Sequence, residues 1–480
     1  MNDLRTRIRA RDSLRVGLGV AAGLMMLALL LVGAWLIRAA LAPAQRAGEI
    51  PPAGPEEFLV LVAPFQHEGG EVYYFGMELA NDLRQTPHVL GAYRVENLNY
   101  SPTEEDIPEL FQAFGARVIV TGRYDDTMVE ADLYFVPPDI PPPLPPESPG
   151  PPTTFFGLGP ARYHLYAPRG IGHPLQYLQY WIIGQSHFWR GEFSEALRAF
   201  ELAQQMLPAQ TPVARRAAMD RFVAALLWSM GYVVGPVQDN WPVAYDLFHR
   251  SLALDATSLP SMLGVAQALV RTDRADQAID LLQAALRSQP DAWQIYFALA
   301  EIKGQQGLTE EALALYDRAI SLLSAEGSPQ SQRALADVYF YRGYFYYELG
   351  DYQSALSDYQ QARALGREDV YLLSNLGWTA YLVGDYETAA EASSQAAAQA
   401  PDRPDLQFNK GLHLLAAGRY DEARTAYEQA IQLTLTIDDP LTRSQYFGAA
   451  YYDLDDLAQR RPDLEAIIRE LQHEIDVANG

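Results

Sequence analysis

A 34-residue period in the second half of this 480-residue chain restricts its fold more than any other feature. Small and aromatic residues recur in phase at this interval, and five such columns are hard to obtain by chance. The columns are Gly343, Gly377, Gly411; Gly350, Gly384, Gly418; Tyr352, Tyr386, Tyr420; Ala355, Ala389, Ala423; and Ala362, Ala396, Ala430. A period of this length predicts a repeat architecture, in which each unit buries its apolar face against its neighbours.

The residue types within one unit predict a pair of helices. Gly350 suits the left-handed residue that ends a first helix. Ala355, Tyr359 and Ala362 are four and three residues apart, so they share one face of a second helix. Gly343 is small because the two helices cross there.

The pattern resembles the tetratricopeptide repeat family, and three consecutive units match it closely. Weaker copies extend the frame over residues 174–435 as about seven units, with insertions such as "GYVVGPVQDNWP" and "SAEGSPQSQ". Residues 436–480 predict C-terminal capping helices, which a solenoid needs to cover its last apolar face. The resemblance implies a mainly α fold, a helical solenoid that binds protein or peptide partners.

The resemblance also implies which side chains line the concave surface, because positions 2, 5, 9, 12 and 13 of each unit point inward. With units starting at residues 336, 370 and 404, the predicted protein-binding residues are Phe340, Tyr344, Tyr347, Tyr371, Trp378, Tyr381 and Phe408. Two interpretations stay open: a groove for an extended peptide or a partner helix, or packing between repeats. A clamp for a C-terminal carboxylate is disfavoured, because Phe340, Tyr344 and Asp405 occupy positions where that subtype has basic or amide groups.

Residues 56–136 predict a small α/β domain with the order β-α-β-α-β-β. "EFLVLVAPF" reads as a buried strand, and "ARVIVTGRY" with "MVEADLYFV" reads as a hairpin. The segment resembles the small α/β domain at the front of the Tol system's periplasmic propeller protein, and a module found in bacterial adenylate cyclase-like proteins. That resemblance implies a noncatalytic interaction domain, and no cyclase domain accompanies it.

Residues 137–173 are rich in proline, which favours a polyproline II segment outside any core. They predict a stiff spacer or long loop, or alternatively a ligand for an aromatic groove. "ARYHLYA", residues 161–167, is a candidate for a last strand.

The amino-terminal segment predicts a membrane anchor. Residues 1–15 form a basic arm with five arginines, residues 16–37 are 22 uncharged and mostly apolar residues, and residues 38–55 read as a linker. The positive-inside rule places the arm in the cytoplasm and the bulk of the chain outside, so the expected location is the cell membrane with a single-pass topology. A cleaved signal peptide is the alternative, since small residues near Ala42 resemble a cleavage site.

Composition excludes several function classes. The chain has no cysteine, which removes disulfides, thiolate metal sites and a cysteine nucleophile. Its net charge is −24, and after residue 50 there are 57 acidic against 29 basic residues, so nucleic acid is not expected as a partner. No catalytic motif, cofactor-binding motif or metal-ligand spacing is present, and an enzyme is therefore not predicted.

Two functional hypotheses remain after these exclusions. The first is a membrane-anchored extracytoplasmic scaffold or adaptor that binds polypeptide on the concave face of its solenoid. The second is a stable structural subunit of a multiprotein envelope or membrane assembly.

Overall fold

The structure is a computed structural model. It describes residues 50–54, 57–67, 75–85, 93–137, 161–168, 175–208 and 216–479. The predicted basic arm (1–15) and membrane span (16–37) lie outside the described residues. The described chain is mainly α-helical and falls into two compact units, residues 1–274 and 275–480, which we describe separately.

A mixed sheet forms the amino-terminal part of the first unit. Its strands are β1 (Leu59–Val62), β2 (Gln66–His67), β3 (Arg94–Asn97), β4 (Val118–Tyr124), β5 (Met128–Phe135) and β6 (Ala161–Pro168). The order across the sheet is β3-β1-β4-β5-β6, with the short β2 beside β4. β1 pairs in parallel with β3 and β4, whereas β4, β5 and β6 pair antiparallel. Apart from β2, these strands lie in the segments that the sequence predicted, and β6 is the candidate last strand.

Among the described residues, two helices accompany the strands, α1 (Phe75–Gln85) and α2 (Ile107–Phe114). A short 3-10 turn precedes α2, and Thr103 and Asp106 form a capping box at its start. Gly115 ends α2 in the left-handed conformation, with φ of +62°. The apolar side of α2 packs on β1 and β4. The α/β region is therefore present, while its resemblance to the Tol module remains a prediction.

Five further helices belong to the described part of the first unit. They are α3 (Gln176–Trp189), α4 (Phe193–Gln205), α5 (Arg216–Tyr232), α6 (Trp241–Leu254) and α7 (Leu259–Arg271). A π-helical segment containing Pro236 continues α5.

The sheet and the first repeat helices share one core. The ring of Trp181 on α3 is fully buried, and its centroid lies 5.3 Å from Phe135 on β5 and 5.9 Å from Tyr163 on β6. Phe222 on α5 contacts the same cluster. The sequence pattern separates an α/β domain from the repeats, but in the structure these parts are packed as one body.

The stretch Arg216–Val237 is, within the described residues, the one helical segment long and apolar enough to cross a membrane. However, 72% of its apolar window is buried inside the protein. Gly231 on this helix leaves room for the Phe248 ring of α6, which an added Cβ would meet at 2.7 Å. Such packing is typical of a core helix.

The second unit consists of helices alone within the described residues. They are α8 (Ala275–Ser288), α9 (Trp293–Gln305), α10 (Thr309–Glu326), α11 (Pro329–Glu348), α12 (Tyr352–Ala364), α13 (Val370–Val383), α14 (Tyr386–Gln399), α15 (Pro404–Ala416), α16 (Tyr420–Leu435), α17 (Pro440–Arg460) and α18 (Glu465–Asn479). The first helices of the pairs are α9, α11, α13, α15 and α17, and each packs on the second helix that follows it.

The glycine columns have the roles that the period predicted. Gly350, Gly384 and Gly418 follow first helices with φ between +79° and +85°, a conformation that costs glycine little. Gly343 and Gly411 lie within first helices, where an added Cβ would come within 3.0 Å of a tyrosine ring on the second helix. Close crossing of the two helices therefore explains the column that contains Gly343 and Gly411. Helix termination explains the column that contains Gly350, Gly384 and Gly418.

The C-terminal helix pair closes the second unit. Leu454 and Leu457 of α17 and Leu471 of α18 are buried. Beyond the end of α17, the Arg461 side chain donates a hydrogen bond to the carbonyl of Ala416, at the end of α15. A cationic side chain at this position offsets the partial negative charge of a helix C-terminus.

Candidate protein-binding face

The first helices of the second unit place equivalent positions side by side. In the tetratricopeptide frame, Glu301 on α9, Tyr344 on α11 and Trp378 on α13 occupy the ninth position of successive units. These three side chains are partly exposed.

Three of the seven residues predicted to line the groove are instead core residues. Phe340, Tyr381 and Phe408 are at most 4% exposed. The Phe340 ring lies 5.8 Å from Tyr359 on the second helix of its own pair, and the Phe408 ring lies 5.8 Å from Tyr427 in the same manner. Their positions face the partner helix more than the concave surface, which corrects the sequence assignment for these residues.

Tyr381 is buried for a different reason. Its hydroxyl donates a hydrogen bond of 2.9 Å to Asp456 near the end of α17, and the Arg460 guanidinium lies over its ring. The Arg460 side chain also bonds to the carbonyl of Leu382. The repeat pattern does not predict this contact, because α17 lies outside the regular period.

The other four predicted residues remain accessible. Tyr344, Tyr347 and Trp378 are partly exposed, and Tyr371 is 54% exposed. Burial raises the pKa of Tyr347, and the neighbouring Trp378 side chain lowers it in part. The structure therefore brings Tyr347 and Trp378 together across α11 and α13, while Tyr371 lies two turns nearer the start of α13.

Two carboxylates accompany these aromatic side chains. Glu301 accepts a hydrogen bond from the Tyr316 hydroxyl, and burial raises the pKa of Glu301 to about 7. Glu348 follows Tyr347 at the end of α11 and is exposed. Burial raises the pKa of Tyr344, and the charge of the nearby Glu348 raises it further. Sequence analysis missed Glu301, although its place in the repeat frame could have identified it.

A buried histidine packs against two aromatic residues of α13. The His413 ring on α15 stacks on Tyr381 at 5.2 Å and lies 5.7 Å from Trp378. Burial lowers the pKa of His413 to about 3, with a partial offset from the carbonyl of Ala389. His413 is therefore neutral at ordinary pH and serves as a packing residue.

The second position of the repeat frame argues against a carboxylate clamp. Asp337 and Asp405 occupy it, and both are acidic. Asp337 binds Arg367 at 2.8 Å, and Asp405 binds Arg403. Among the residues that the structure describes, no group of three or more His, Asp or Glu side chains is arranged to hold a metal ion.

Comparison with known families supports the repeat assignment. Models of the tetratricopeptide repeat match residues 264–331, 374–440 and 336–369. These segments are tetratricopeptide repeats. No curated protein matches the chain in a sequence search.

A comparison with solved structures also found chains similar to parts of this one. A crystal structure of YrrB, described as a tetratricopeptide repeat protein with an unusual peptide-binding site, has 17% identity and a TM-score of 0.33, covering 41% of this chain and 95% of its own. An APC/C hetero-tetramer has 17% identity and a TM-score of 0.35, covering 57% of this chain and 56% of its own. MamA from Desulfovibrio magneticus RS-1 has 15% identity and a TM-score of 0.31, covering 38% of this chain and 98% of its own.

Proposed function

We propose that this chain is a membrane-anchored extracytoplasmic adaptor that binds polypeptide on the first helices of its second unit. The observation that carries the proposal is the cluster of partly exposed aromatic side chains, Tyr344, Tyr347 and Trp378, on successive first helices. Aromatic side chains bury a large area at low entropic cost, and they are enriched among residues that dominate interface energies. Neither a catalytic nor a cofactor role is part of the proposal.

Replacement of two of these rings tests the binding face. The tagged full-length chain is isolated from its own cells as wild type and as the double variant Tyr344→Ala/Trp378→Ala. We expect recovery of the bound partner to fall at least tenfold, with unchanged helical content by circular dichroism. Tyr452→Ala is the matched control, because Tyr452 is 74% exposed on α17. Equal recovery of the partner from the double variant and the control would contradict the proposal that the partner binds to this face.

Purification in mild detergent distinguishes the second hypothesis, a structural subunit of a membrane assembly. A stoichiometric complex that survives purification and is insensitive to the Tyr344→Ala/Trp378→Ala change favours the structural subunit. The adaptor predicts instead a partner that is recovered in less than stoichiometric amount and whose recovery depends on Tyr344 and Trp378.

The location is tested by a reporter enzyme that is active only outside the cytoplasm. The reporter is fused after Gly480, and the same fusion lacking residues 1–37 serves as the control. Activity that depends on residues 1–37 supports the extracytoplasmic assignment, which the charge pattern around this span motivates. An inactive reporter in the full-length fusion contradicts it.

A further inference from the structure

Three aromatic rings of α13 and α15 contact one another, and we call them the ring cluster. The Trp378 centroid lies 5.5 Å from that of Tyr381 and 5.7 Å from that of His413, and the Tyr381 and His413 centroids lie 5.2 Å apart. Tyr381 and His413 are at most 1% exposed, whereas Trp378 is partly exposed. The accessible ring of the cluster is therefore packed against two buried ones.

The end of α17 holds the buried tyrosine of the ring cluster. The Tyr381 hydroxyl donates a hydrogen bond of 2.9 Å to Asp456, and Arg460 donates to the same carboxylate oxygen at 2.6 Å. Arg460 also donates to the carbonyl of Leu382 at 3.2 Å, and its guanidinium lies 5.3 Å from the centroid of the Tyr381 ring. These contacts fix Tyr381 at its hydroxyl and on one face of its ring.

The same end of α17 also contacts the helix that carries His413. Arg461, the residue after α17, donates a hydrogen bond of 2.7 Å to the carbonyl of Ala416 at the end of α15. Helices α13, α15 and α17 are therefore joined near their C-terminal ends. Because Tyr381 and His413 belong to α13 and α15, the end of α17 helps to set the spacing of the two rings that contact Trp378.

Loss of the Asp456 acceptor would affect the exposed ring. A buried hydroxyl without a partner costs free energy, so Tyr381 would turn towards another acceptor or towards water. Trp378 lies three residues before Tyr381 on the same helix, and the two rings are in contact. A displaced Tyr381 ring would therefore allow Trp378 to occupy other rotamers.

The orientation of Trp378 matters for binding because a side chain that is already ordered loses less conformational entropy when it meets a partner. Trp378 belongs to the proposed binding face, and tryptophan is enriched among the residues that contribute most to binding. A fixed Trp378 would raise the affinity of the face without any contact between α17 and the partner.

We propose that Asp456, oriented by Arg460, is a positioning residue that holds the Trp378 ring in its binding orientation through Tyr381 and His413. The last helix pair then has a role besides covering the end of the solenoid, because it orders a binding residue two first helices away. This inference rests on the proposed binding function, in which Trp378 contacts the partner.

Fluorine NMR of the full-length chain, labelled with fluorotryptophan, reports on the Trp378 ring without a partner. The resonance of Trp378 is the one that disappears in Trp378→Phe. Asp456→Ala should shift and broaden this resonance, because the Tyr381 hydroxyl loses its acceptor. Asp456→Asn keeps an amide oxygen as acceptor and should preserve the wild-type resonance. Glu428→Ala, which removes an exposed carboxylate from α16, is the control and should also preserve it.

A purely structural role of Asp456 predicts a different result. Asp456→Ala would then lower the temperature of thermal unfolding but leave the Trp378 resonance of the folded protein unchanged, which would overturn the inference. If Asp456→Ala does not fold, Tyr381→Phe takes its place, since it removes only the hydroxyl. This variant should broaden the Trp378 resonance, and a resonance as sharp as that of the wild type would equally overturn the inference.

Recovery of the partner separates this inference from the proposed function. Recovery that falls at least fivefold in Asp456→Ala and is restored in Asp456→Asn supports the positioning role. Loss of recovery in Trp378→Ala, together with wild-type recovery in Asp456→Ala, overturns the positioning role but supports the binding face. Wild-type recovery in Trp378→Ala contradicts the assignment of Trp378 to the binding face, even where Asp456→Ala shifts the Trp378 resonance.

Discussion

Glu301 shows how a single residue can set the pH dependence of the second unit. Its folded-state pKa is about 7, against an ordinary value of 4.5, because burial disfavours the charged form. The protonated carboxyl therefore contributes stability that is fully present below pH 4.5 and is lost as the pH rises through 7. At about 1.4 kcal/mol per pH unit, the loss amounts to roughly 3 kcal/mol.

Replacement of this carboxyl should change the stability in a pH-dependent manner. Glu301→Gln keeps an acceptor for Tyr316 and removes the charge, so we expect it to be more stable than the wild type at pH 8. The difference should shrink toward pH 5. Urea unfolding at several pH values measures it, and Glu428→Gln should show no comparable trend. A constant difference across this range would contradict the assignment.

Burial of His413 is expected to have the opposite effect: it lowers the stability of the fold as the pH falls. Its pKa is lowered from 6.5 to about 3, so the folded state excludes the proton that the unfolded state accepts. The stability that depends on neutral His413 is fully present above pH 6.5. It is lost as the pH falls toward 3, at about 1.4 kcal/mol per pH unit.

His413→Phe should flatten the loss of stability between pH 6 and pH 4, since phenylalanine keeps the ring contact with Tyr381 without titrating. Thermal unfolding followed by circular dichroism at several pH values measures the slope. His473→Gln, at an exposed position on α18, is the control and should leave the slope unchanged. A variant slope equal to that of the wild type would show that other groups cause acid unfolding.

For the seven residues predicted to line the groove, the sequence predicted the exposure of some side chains correctly and of others incorrectly. The repeat frame identified the helix and the approximate face, and it placed Tyr344 and Trp378 on an accessible surface. It did not predict that Phe340 and Phe408 face their partner helices, because burial depends on the size of the opposing side chain. Nor did it predict the burial of Tyr381, whose neighbour Asp456 is 75 residues away in the chain.

Among the helices, the effect of replacing a glycine by alanine depends on whether another side chain lies close to that glycine. A Cβ at Gly411 would lie 2.7 Å from the ring of Tyr427, which is itself buried, whereas a Cβ at Gly448 on α17 has nothing within 4 Å. Alanine is favoured over glycine in a helix by up to about 1 kcal/mol when space permits. The same substitution should therefore have opposite signs at these two positions.

Gly411→Ala should lower the free energy of unfolding by about 1–3 kcal/mol, as overpacked cores do. Gly448→Ala should raise it by about 0.5–1 kcal/mol. Chemical denaturation of the two variants beside the wild type measures both effects. Destabilisation of similar size at both positions would indicate that the close helix crossing is not the reason for glycine at position 411.

The elements themselves were largely predictable, for reasons that the structure makes clear. The helix ends coincide with glycines that need positive φ, and the strands of the sheet are short apolar runs between polar turns. The two-residue strand β2 and the π-helical segment after α5 were not predicted. Both depend on tertiary pairing or on an inserted segment that lies outside the repeat pattern.

At the scale of the whole molecule, the first unit combines a sheet and a set of repeat helices in one core. Sequence analysis predicted these two parts as separate domains. Trp181 is fully buried between Phe135 and Tyr163 on the strands and Phe222 on α5. Fully burying an aromatic side chain stabilises the fold by about 2–3 kcal/mol, so removal of the strands exposes a strongly apolar surface.

A chain that starts at residue 175 tests this shared core. We expect it to bind a dye specific for exposed apolar surface and to aggregate, whereas a chain of residues 50–480 should remain monodisperse. Size-exclusion chromatography and dye fluorescence measure the two properties. A monodisperse chain from residue 175 with its full helical content would show that the sheet is dispensable for the helices.

The bond between Tyr381 and Asp456 also has a consequence for biosynthesis. A nascent chain in which α13 has already left the ribosome still lacks the acceptor for that hydroxyl, and it lacks the arginines that meet the ends of α13 and α15. We therefore expect the final packing of these repeats to follow the synthesis of α17. We expect a messenger truncated before codon 456 to yield a product in which the helices around Tyr381 are cleaved more readily by proteases.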